Sequence, residues 1–219
     1  MSPEAAQRLL QLVQLVLAAP INLTAIRDPA EVRRKHLADS LSCLRVVRCA
    51  AGQRLLDIGS GGGFPGLPLA VACPELELDL LEANARKGDF LRRTATALAL
   101  TNVRVVVGRA EDAGHLAEYR ARFDWVVARA VAPLPVLLEY GLPFCRMGGR
   151  MVAMKGPRAD EEVAQATRAV GVLGGRWAER IDLSLPGAAD ARSLICAIKV
   201  RDTPRRYPRG PGVPSRHPL

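Results

Sequence analysis

The sequence predicts an α/β protein with a mostly parallel, doubly wound β-sheet, and three observations support that fold class. From Arg54 onward, short apolar runs alternate with amphipathic stretches, which is the order of strands and crossover helices in such a sheet. A glycine-rich stretch, Gly59–Gly66, stands between two apolar runs, as expected where a buried strand turns sharply into a helix. The chain has 219 residues, of which 49% are hydrophobic, and this is enough for the core of one domain.

The individual elements follow from local residue patterns. Each predicted strand is a short apolar run, and each predicted helix carries apolar residues three or four positions apart. The helices expected between strands are Lys87–Ala99 and Asp160–Val170. The predicted strands are Arg54–Ile58, Glu77–Leu81, Val103–Val107, Phe123–Ala128 and Arg150–Met154, with Arg192–Val200 as one half of a closing antiparallel pair. Residues 51–200 are therefore assigned to the sheet domain.

Two helices precede the sheet, and we expect them to form an N-terminal helical cap over residues 1–50. The first runs through residues 3–18, with Ser2 as its N-cap. The second begins with Asp28 as N-cap and Pro29 at the first helical position, and it continues towards Val47.

Residues 201–219 are expected to form a basic C-terminal tail. Prolines and glycines interrupt this segment throughout, which predicts that it has no regular structure. Two interpretations stay open: a solvated, partly disordered end, or a basic arm that lies on RNA phosphates.

The charge balance bears on partners. Lys and Arg exceed Asp and Glu by a formal net charge of +9, which favours a polyanionic partner over a basic but inert surface. Gln11 and Gln14 interrupt the apolar stretch near the start, which argues against a signal peptide and a membrane span. We expect a cytoplasmic protein with no membrane contact.

The cysteines show no C-x-x-C pair and no neighbouring histidine cluster, so we expect small core residues in a reducing compartment and no metal site. They are Cys43, Cys49, Cys73, Cys145 and Cys196.

The glycine-rich stretch fits two cofactor patterns. Gly61–Gly66 satisfies the dinucleotide pattern G-x-G-x-x-G, while Asp57, Gly59, Gly61 and Gly63 follow the first motif of Rossmann-like, class I methyltransferases that use S-adenosylmethionine (SAM). The second is favoured because Asp57 can help to hold the zwitterionic methionine end, whereas it would repel a pyrophosphate. A glycine turn without a ligand is the third interpretation.

Further candidate contacts follow the next two strands. Glu82 lies at the position where an acid accepts hydrogen bonds from ribose hydroxyls. The backbone of Ala110 and the carboxylate of Glu111 or Asp112 could bind the exocyclic amine of adenine, although acids at a helix N-terminus are also common without a ligand.

Arg129 and Lys155 are the candidate residues for the substrate. Arg129 stands where many amine-directed Rossmann methyltransferases carry an Asn/Asp-Pro-Pro-aromatic motif, which argues against adenine N6 or cytosine N4 chemistry. An arginine suits a substrate that offers acceptors, such as guanine O6 or phosphate, and Lys155 adds a positive group or is a surface lysine. His36 could contact substrate or be a structural hydrogen-bonding residue.

Methylation at guanine N7 would agree with a chain that has no evident catalytic base, nucleophile or metal cluster. That nitrogen has an in-plane lone pair and no proton to lose, so alignment with the methyl group is the main requirement.

The chain closely resembles the bacterial small-subunit ribosomal RNA guanine-7 methyltransferases, the RsmG or GidB family, which have a longer segment before the first helix. The matching stretches are Asn22–Thr24, His36 with Asp39–Leu41, Asp57–Gly66, Gly108–Glu111, Arg129–Ala130, Leu185–Gly187, and Tyr207–Arg209 with Gly212 and Pro214. The Phe-Pro-Gly and Tyr-Pro-Arg sequences are the most specific.

This resemblance implies that SAM is bound by Gly59, Phe64, the backbone around Glu82, Ala110–Glu111 and Arg129. It also implies methyl transfer to a guanosine in the decoding-region loop of 16S ribosomal RNA, with the RNA or the small ribosomal subunit as partner. We expect the enzyme to be a monomer. Two alternatives remain: a methyltransferase of a small acidic metabolite, and a non-catalytic subunit that binds SAM or RNA.

Overall fold

The computed structural model describes residues 1–184 and 191–219, and its centre is a seven-stranded sheet of order β3-β2-β1-β4-β5-β7-β6. Strands β1 to β5 are parallel, and β7 runs antiparallel to both β5 and β6. The strands are β1 Arg54–Ile58, β2 Glu77–Glu82, β3 Val103–Val107, β4 Phe123–Arg129, β5 Cys145–Lys155, β6 Gly175–Leu183 and β7 Arg192–Lys199. The predicted fold class is confirmed. The Leu185–Gly187 stretch lies outside the described residues.

Helices connect the strands, and the strand order reverses between β1 and β4. Such a reversal opens a crevice at the carboxyl ends of the two strands, which is where doubly wound proteins bind ligands. The helices are α1 Pro3–Leu17, α2 Pro29–Val32, α3 Asp39–Ser42, α4 Gly66–Ala72, α5 Ala85–Ala97, α6 Ala110–Ala113, α7 Leu134–Gly141, α8 Ala159–Val172 and α9 Val213–Arg216. Within the described ranges, no helix is both long and apolar enough to cross a membrane.

Strand β5 begins at Cys145, five residues before the predicted Arg150. Phe123 pairs with Cys145 and Trp125 pairs with Arg150, so the intervening residues of β5 form an irregularity in the ladder. Gly148, within this irregular segment, has a φ of +75°, a backbone conformation typical of turns. The segment nevertheless belongs to the strand.

The two N-terminal helices begin at the N-cap residues that the sequence indicates, Ser2 and Asp28. The Ser2 side chain accepts a hydrogen bond from the Ala5 amide, and Asp28 accepts one from the Glu31 amide. The second helical stretch changes geometry along its length, because a π-helix, Arg33–Ala38, joins α2 to α3 and a short 3₁₀ helix, Cys43–Arg45, follows. The cap shares one hydrophobic cluster with the glycine-rich loop and α5.

The C-terminal tail packs against the sheet domain, and the prediction of no regular structure is wrong for α9. Tyr207 is buried, and Arg120 donates hydrogen bonds to the carbonyls of Thr203 and Tyr207. The Arg209 guanidinium contacts the Glu139 carboxylate. Sequence composition could not indicate this, because every one of these partners lies far away along the chain.

The expectation of five free cysteines is also corrected. Cys49, just before β1, and Cys73, at the end of α4, form a disulfide, with their Cα atoms 5.5 Å apart. They are 24 residues apart in sequence, so only the fold brings them together. Cys43, Cys145 and Cys196 are free and buried, as expected.

Candidate active site

The glycine-rich loop closes tightly over the carboxyl end of β1. Gly59 has a φ of +68°, and its amide donates a hydrogen bond of 2.8 Å to the carbonyl of Leu81 on β2. A Cβ at Gly59 would lie 2.8 Å from Cγ2 of Val131, which is closer than real side chains approach. Only glycine leaves the space between the β1 and β4 ends open.

Asp57 supports this loop from behind. Its side chain is fully buried, Oδ2 accepts a hydrogen bond of 3.0 Å from the Gly66 amide, and Oδ1 has no partner among the described residues. Burial raises the pKa of Asp57 to about 7. The predicted contact with the methionine end of SAM is therefore revised, because in this structure the carboxylate has no surface on the pocket and instead fixes the start of α4.

Glu82 joins the ends of β1 and β2. One carboxylate oxygen accepts a hydrogen bond from the Gly61 amide and the other accepts one from the Asn84 amide, both at 2.8 Å. The side chain thus holds the glycine-rich loop in place, and each oxygen keeps a lone pair that can accept a further hydrogen bond.

A cavity of about 220 Å³, called here the cofactor cavity, lies at the carboxyl ends of β1, β2 and β3. Of the predicted cofactor residues, Gly59, Ala110 and Glu111 line this cavity, whereas Gly61, Phe64, Glu82 and Arg129 are not in its lining. Val131 and Tyr140 also line it, and the sequence did not predict them. The full lining is Ile58, Gly59, Leu81, Ala83, Gly108, Arg109, Ala110, Glu111, Val131 and Tyr140.

The tail reaches the edge of the cofactor cavity. The Gly212 amide donates a hydrogen bond of 3.1 Å to Oε1 of Glu111, and the Tyr140 hydroxyl lies 3.1 Å from Oγ of Ser215. Two side chains of the cavity wall are therefore held from outside by the C-terminal segment.

A second cavity, of about 560 Å³ and called here the substrate cavity, lies between the cap and the carboxyl ends of β4 and β5. Positive side chains predominate in its lining, since five cations face two carboxylates. The cations are Lys35, Arg129, Lys155, Arg158 and Arg192, and the carboxylates are Asp39 and Glu162.

Arg129 connects the sheet to the cap. Its Nη1 donates to the Lys35 carbonyl at 3.0 Å and to Oδ2 of Asp39 at 3.1 Å, and its Nη2 lies 3.1 Å from Nδ1 of His36. The guanidinium carbon also lies 5.5 Å from the ring centroid of Phe64. Arg129 and Phe64 are thus brought together, with the arginine already bound by cap residues.

His36, for which the sequence left a substrate contact and a structural role open, lines the substrate cavity beside Phe64. Its ring centroid is 5.0 Å from that of Phe64, and its Nε2 lies 2.8 Å from Oγ1 of Thr24. Burial, and then the charge of Arg129, lower the pKa of His36 to about 4. The signal was present in the Asn22–Thr24 and His36–Asp39 stretches, but a lone histidine on a helix has no distinguishing pattern.

Lys155 is not the free cation that was expected. Nζ donates a hydrogen bond of 2.6 Å to the Ala132 carbonyl and lies 2.7 Å from Oε2 of Glu162, and the residue is buried. The Glu162 carboxylate also accepts a hydrogen bond from the Leu134 amide. Lys155 therefore stabilises the segment between β4 and α7, and its charge is balanced.

The cofactor cavity fits the group that the sequence predicted. The space that a Cβ at Gly59 would remove, the acceptor oxygens of Glu82 and the backbone at Ala110 are arranged along the ends of three adjacent strands. Among the described residues, no three His, Cys, Asp or Glu side chains are grouped to bind a metal ion. With the strand order of the sheet, these features define a Rossmann-like class I methyltransferase.

Comparison with known proteins gives the particular family. Residues 3–183 match the family described as GidB, rRNA small subunit methyltransferase G, and the chain belongs to that family. A ribosomal RNA small subunit methyltransferase G from Deinococcus radiodurans is 49% identical over 199 residues, which are 91% of this chain and 79% of that protein. Its counterpart from Pelotomaculum thermopropionicum is 46% identical, over 91% of this chain and 83% of that protein.

Solved structures share the fold at low sequence identity. A geranyl diphosphate C-methyltransferase from Streptomyces coelicolor A3(2), solved in complex with Mg²⁺, geranyl diphosphate and S-adenosyl-L-homocysteine, has a TM-score of 0.61 at 17% identity, over 91% of this chain and 99% of that chain. The prediction of a methyltransferase that uses SAM as cofactor is confirmed by the family.

Proposed function

We propose that this protein transfers a methyl group from SAM to N7 of a guanosine in the 16S RNA of the small ribosomal subunit. The observation that carries the proposal is that Val131 lines both cavities, so the cavity assigned to the methyl donor adjoins the positively lined cavity assigned to the acceptor. Family membership supports ribosomal RNA as the substrate.

The chemistry of the substrate cavity suits an acceptor atom that has no proton to lose. Bound SAM would supply an electrophilic methyl group on its sulfonium, which the N7 lone pair would accept as the carbon–sulfur bond breaks and S-adenosylhomocysteine leaves. Asp39 is bound to Arg129, Glu162 is bound to Lys155, and His36 is hydrogen-bonded at both ring nitrogens. These groups orient the substrate and the cap, and the reaction needs no general base from them.

The rim of the substrate cavity supports recognition of a polyanion. Arg158 is exposed and has no side-chain partner among residues 1–184 and 191–219, and Arg192 reaches Asp39 only at 3.9 Å. These two arginines are placed to bind phosphates on either side of a nucleotide that enters the cavity. We further propose that the enzyme acts as a monomer in the cytoplasm.

The test uses ribosomal RNA and small subunits from a strain that lacks this gene. Incubation with tritiated SAM should label one guanosine, and mass-spectrometric mapping should place the methyl group at N7. Label on a metabolite fraction, on another base or on no RNA would reject the proposal. SAM binding without turnover on either substrate would instead support a non-catalytic subunit.

A further inference from the structure

Thr24, His36 and Arg129 form a chain of polar contacts between the cap and the end of β4. Arg129 Nη2 lies 3.1 Å from Nδ1 of His36, and Nε2 of the same ring lies 2.8 Å from Oγ1 of Thr24. A guanidinium has only donors, so a hydrogen bond at this distance requires Nδ1 to be the acceptor. Nδ1 therefore carries no hydrogen.

A neutral imidazole whose Nδ1 accepts must carry its hydrogen on Nε2. That N–H then donates to the Thr24 hydroxyl oxygen, which also accepts a hydrogen bond from the Ile26 amide at 3.1 Å. The charged groups around the ring are Arg129 from β4, and Lys35 and Asp39 from the same helical stretch. Protonation would set an Nδ1–H against an arginine N–H, so the contacts favour the neutral ring.

The contact with His36 leaves part of Arg129 available. Three of its five N–H groups are used by the Lys35 carbonyl, Asp39 and His36. The N–H on Nε and one on Nη2 have no acceptor among the described residues, and Arg129 lines the substrate cavity. Such donors can bind an oxygen atom of a molecule in that cavity.

We propose that His36 is a positioning residue: as the neutral Nε2–H tautomer, it sets the rotation of the Arg129 guanidinium so that the two unused N–H groups meet an oxygen of the target nucleotide. This inference rests on the proposed function for the identity of the substrate. The tautomer and the Arg129 contact do not depend on it.

Two amide variants separate the two ends of the ring. In His36→Asn the side-chain oxygen can occupy the place of Nδ1 and accept from Arg129, whereas in His36→Gln the amide reaches the place of Nε2 and serves Thr24 only. We expect H36N to retain kcat/KM for RNA within about threefold, and H36Q to lose tenfold to a hundredfold, which is the effect of one charge-assisted hydrogen bond. The family resemblance also assigns Arg129 to SAM, whereas this inference assigns its unused donors to the target nucleotide. The inference therefore requires SAM affinity, measured by calorimetry, to be unchanged in both variants.

Arg129→Lys completes a double-mutant cycle. If His36 acts through Arg129, R129K should cost much less in the H36Q background than in the wild type. Equal losses in H36N and H36Q, additive effects with R129K, or a parallel loss of SAM affinity would each overturn the inference and indicate a merely structural histidine.

A second measurement needs neither RNA nor turnover. The chain has three histidines, so ring-nitrogen NMR of the ¹⁵N-labelled protein, with H36N for assignment, can report the state of His36 directly. We expect a neutral ring with the hydrogen on Nε2 throughout pH 5.5 to 8. A hydrogen on Nδ1, or protonation within that range, would overturn the inference even if RNA methylation is confirmed, and failure of RNA methylation would leave this result standing.

Discussion

Arg209 and Glu139 form a forked ion pair that ties the C-terminal segment to the sheet domain. Nη2 of the arginine lies 2.6 Å from Oε2 of the glutamate and Nε lies 2.9 Å from Oε1, while the Arg209 amide donates to the same carboxylate at 2.8 Å. Glu139 itself is fully buried on α7, the helix that also carries Tyr140. A carboxylate buried to this degree is stable only while its partner is present.

Arg209→Ala should therefore destabilise the fold, although it lies in a segment that sequence composition presents as a solvated tail. We expect the free energy of unfolding in urea to fall by about 3 kcal/mol, because Glu139 is left buried and unpaired. Arg205→Ala is the matched control, since Arg205 is exposed and makes no ion pair in the described structure. Equal stability of the two variants would contradict the assigned role of Arg209.

Gly59→Ala should weaken SAM binding by at least about tenfold. The added methyl group would lie 2.8 Å from Val131 at the boundary of the two cavities, at a φ of +68° that alanine adopts at a cost of about 1 kcal/mol. Calorimetric titration with SAM measures the loss. Adding Val131→Ala should restore part of the affinity because it removes the clashing atom, and Gly171→Ala, where the new Cβ meets open space, should bind as the wild type does.

Asp57 should make stability depend on pH in an unusual direction. The pKa of its buried carboxyl is about 7 in the folded state and about 3.9 when unfolded, so the folded state binds more protons between these values. Its contribution is complete below pH 4 and is lost as the pH rises to 7. From pH 5 to pH 8 the wild type should lose about 2.5 kcal/mol relative to Asp57→Asn. Urea unfolding at both pH values tests this, with exposed Glu161→Gln as control, and parallel curves for wild type and D57N would refute it.

Arg158 and Arg192 should control the salt dependence of RNA binding. If each contacts one phosphate, Arg158→Gln and Arg192→Gln should each reduce the slope of log affinity against log salt by about 1 and leave SAM affinity unchanged. Arg92→Gln removes the same charge on α5, away from both cavities, and is the control. Slopes that match those of the wild type would place the RNA on another surface.

Local sequence information was sufficient for part of this architecture. The bounds of β1 are as predicted because an apolar run, an acid and a glycine turn are encoded within a dozen consecutive residues. The starts of the two N-terminal helices could also be predicted, since the side chains of Ser2 and Asp28 accept hydrogen bonds from amides three positions away. Where the determinants of structure are neighbours in the chain, pattern and propensity agree with the fold.

The remainder depends on contacts between distant parts of the chain. His36 contacts Arg129 although 93 positions separate them in the sequence. The residues around either one do not indicate that the arginine is bound by the cap. Lys155 and Glu162 are close in sequence, but the sequence does not show that the Lys155 ammonium also donates a hydrogen bond to the Ala132 carbonyl. That contact identifies the structural role of the pair. Sequence reasoning placed these residues at the correct edge of the sheet and could not state whether their charges were free.

The tail contacts also bear on the order in which the enzyme can be assembled. Arg209, the partner of Glu139, is synthesised 70 residues after it, and Gly212, whose amide binds Glu111, is synthesised 101 residues after that glutamate. During synthesis, all seven strands emerge from the ribosome before residues 209–212 do. At that stage the buried carboxylate of Glu139 is unpaired, and the wall of the cofactor cavity is incomplete. Contacts that close such long loops form late in folding, because the conformational entropy of the loop is lost before the favourable energy of the contact is gained. Competence to bind cofactor is thus expected only after residues 209–212 have left the exit tunnel.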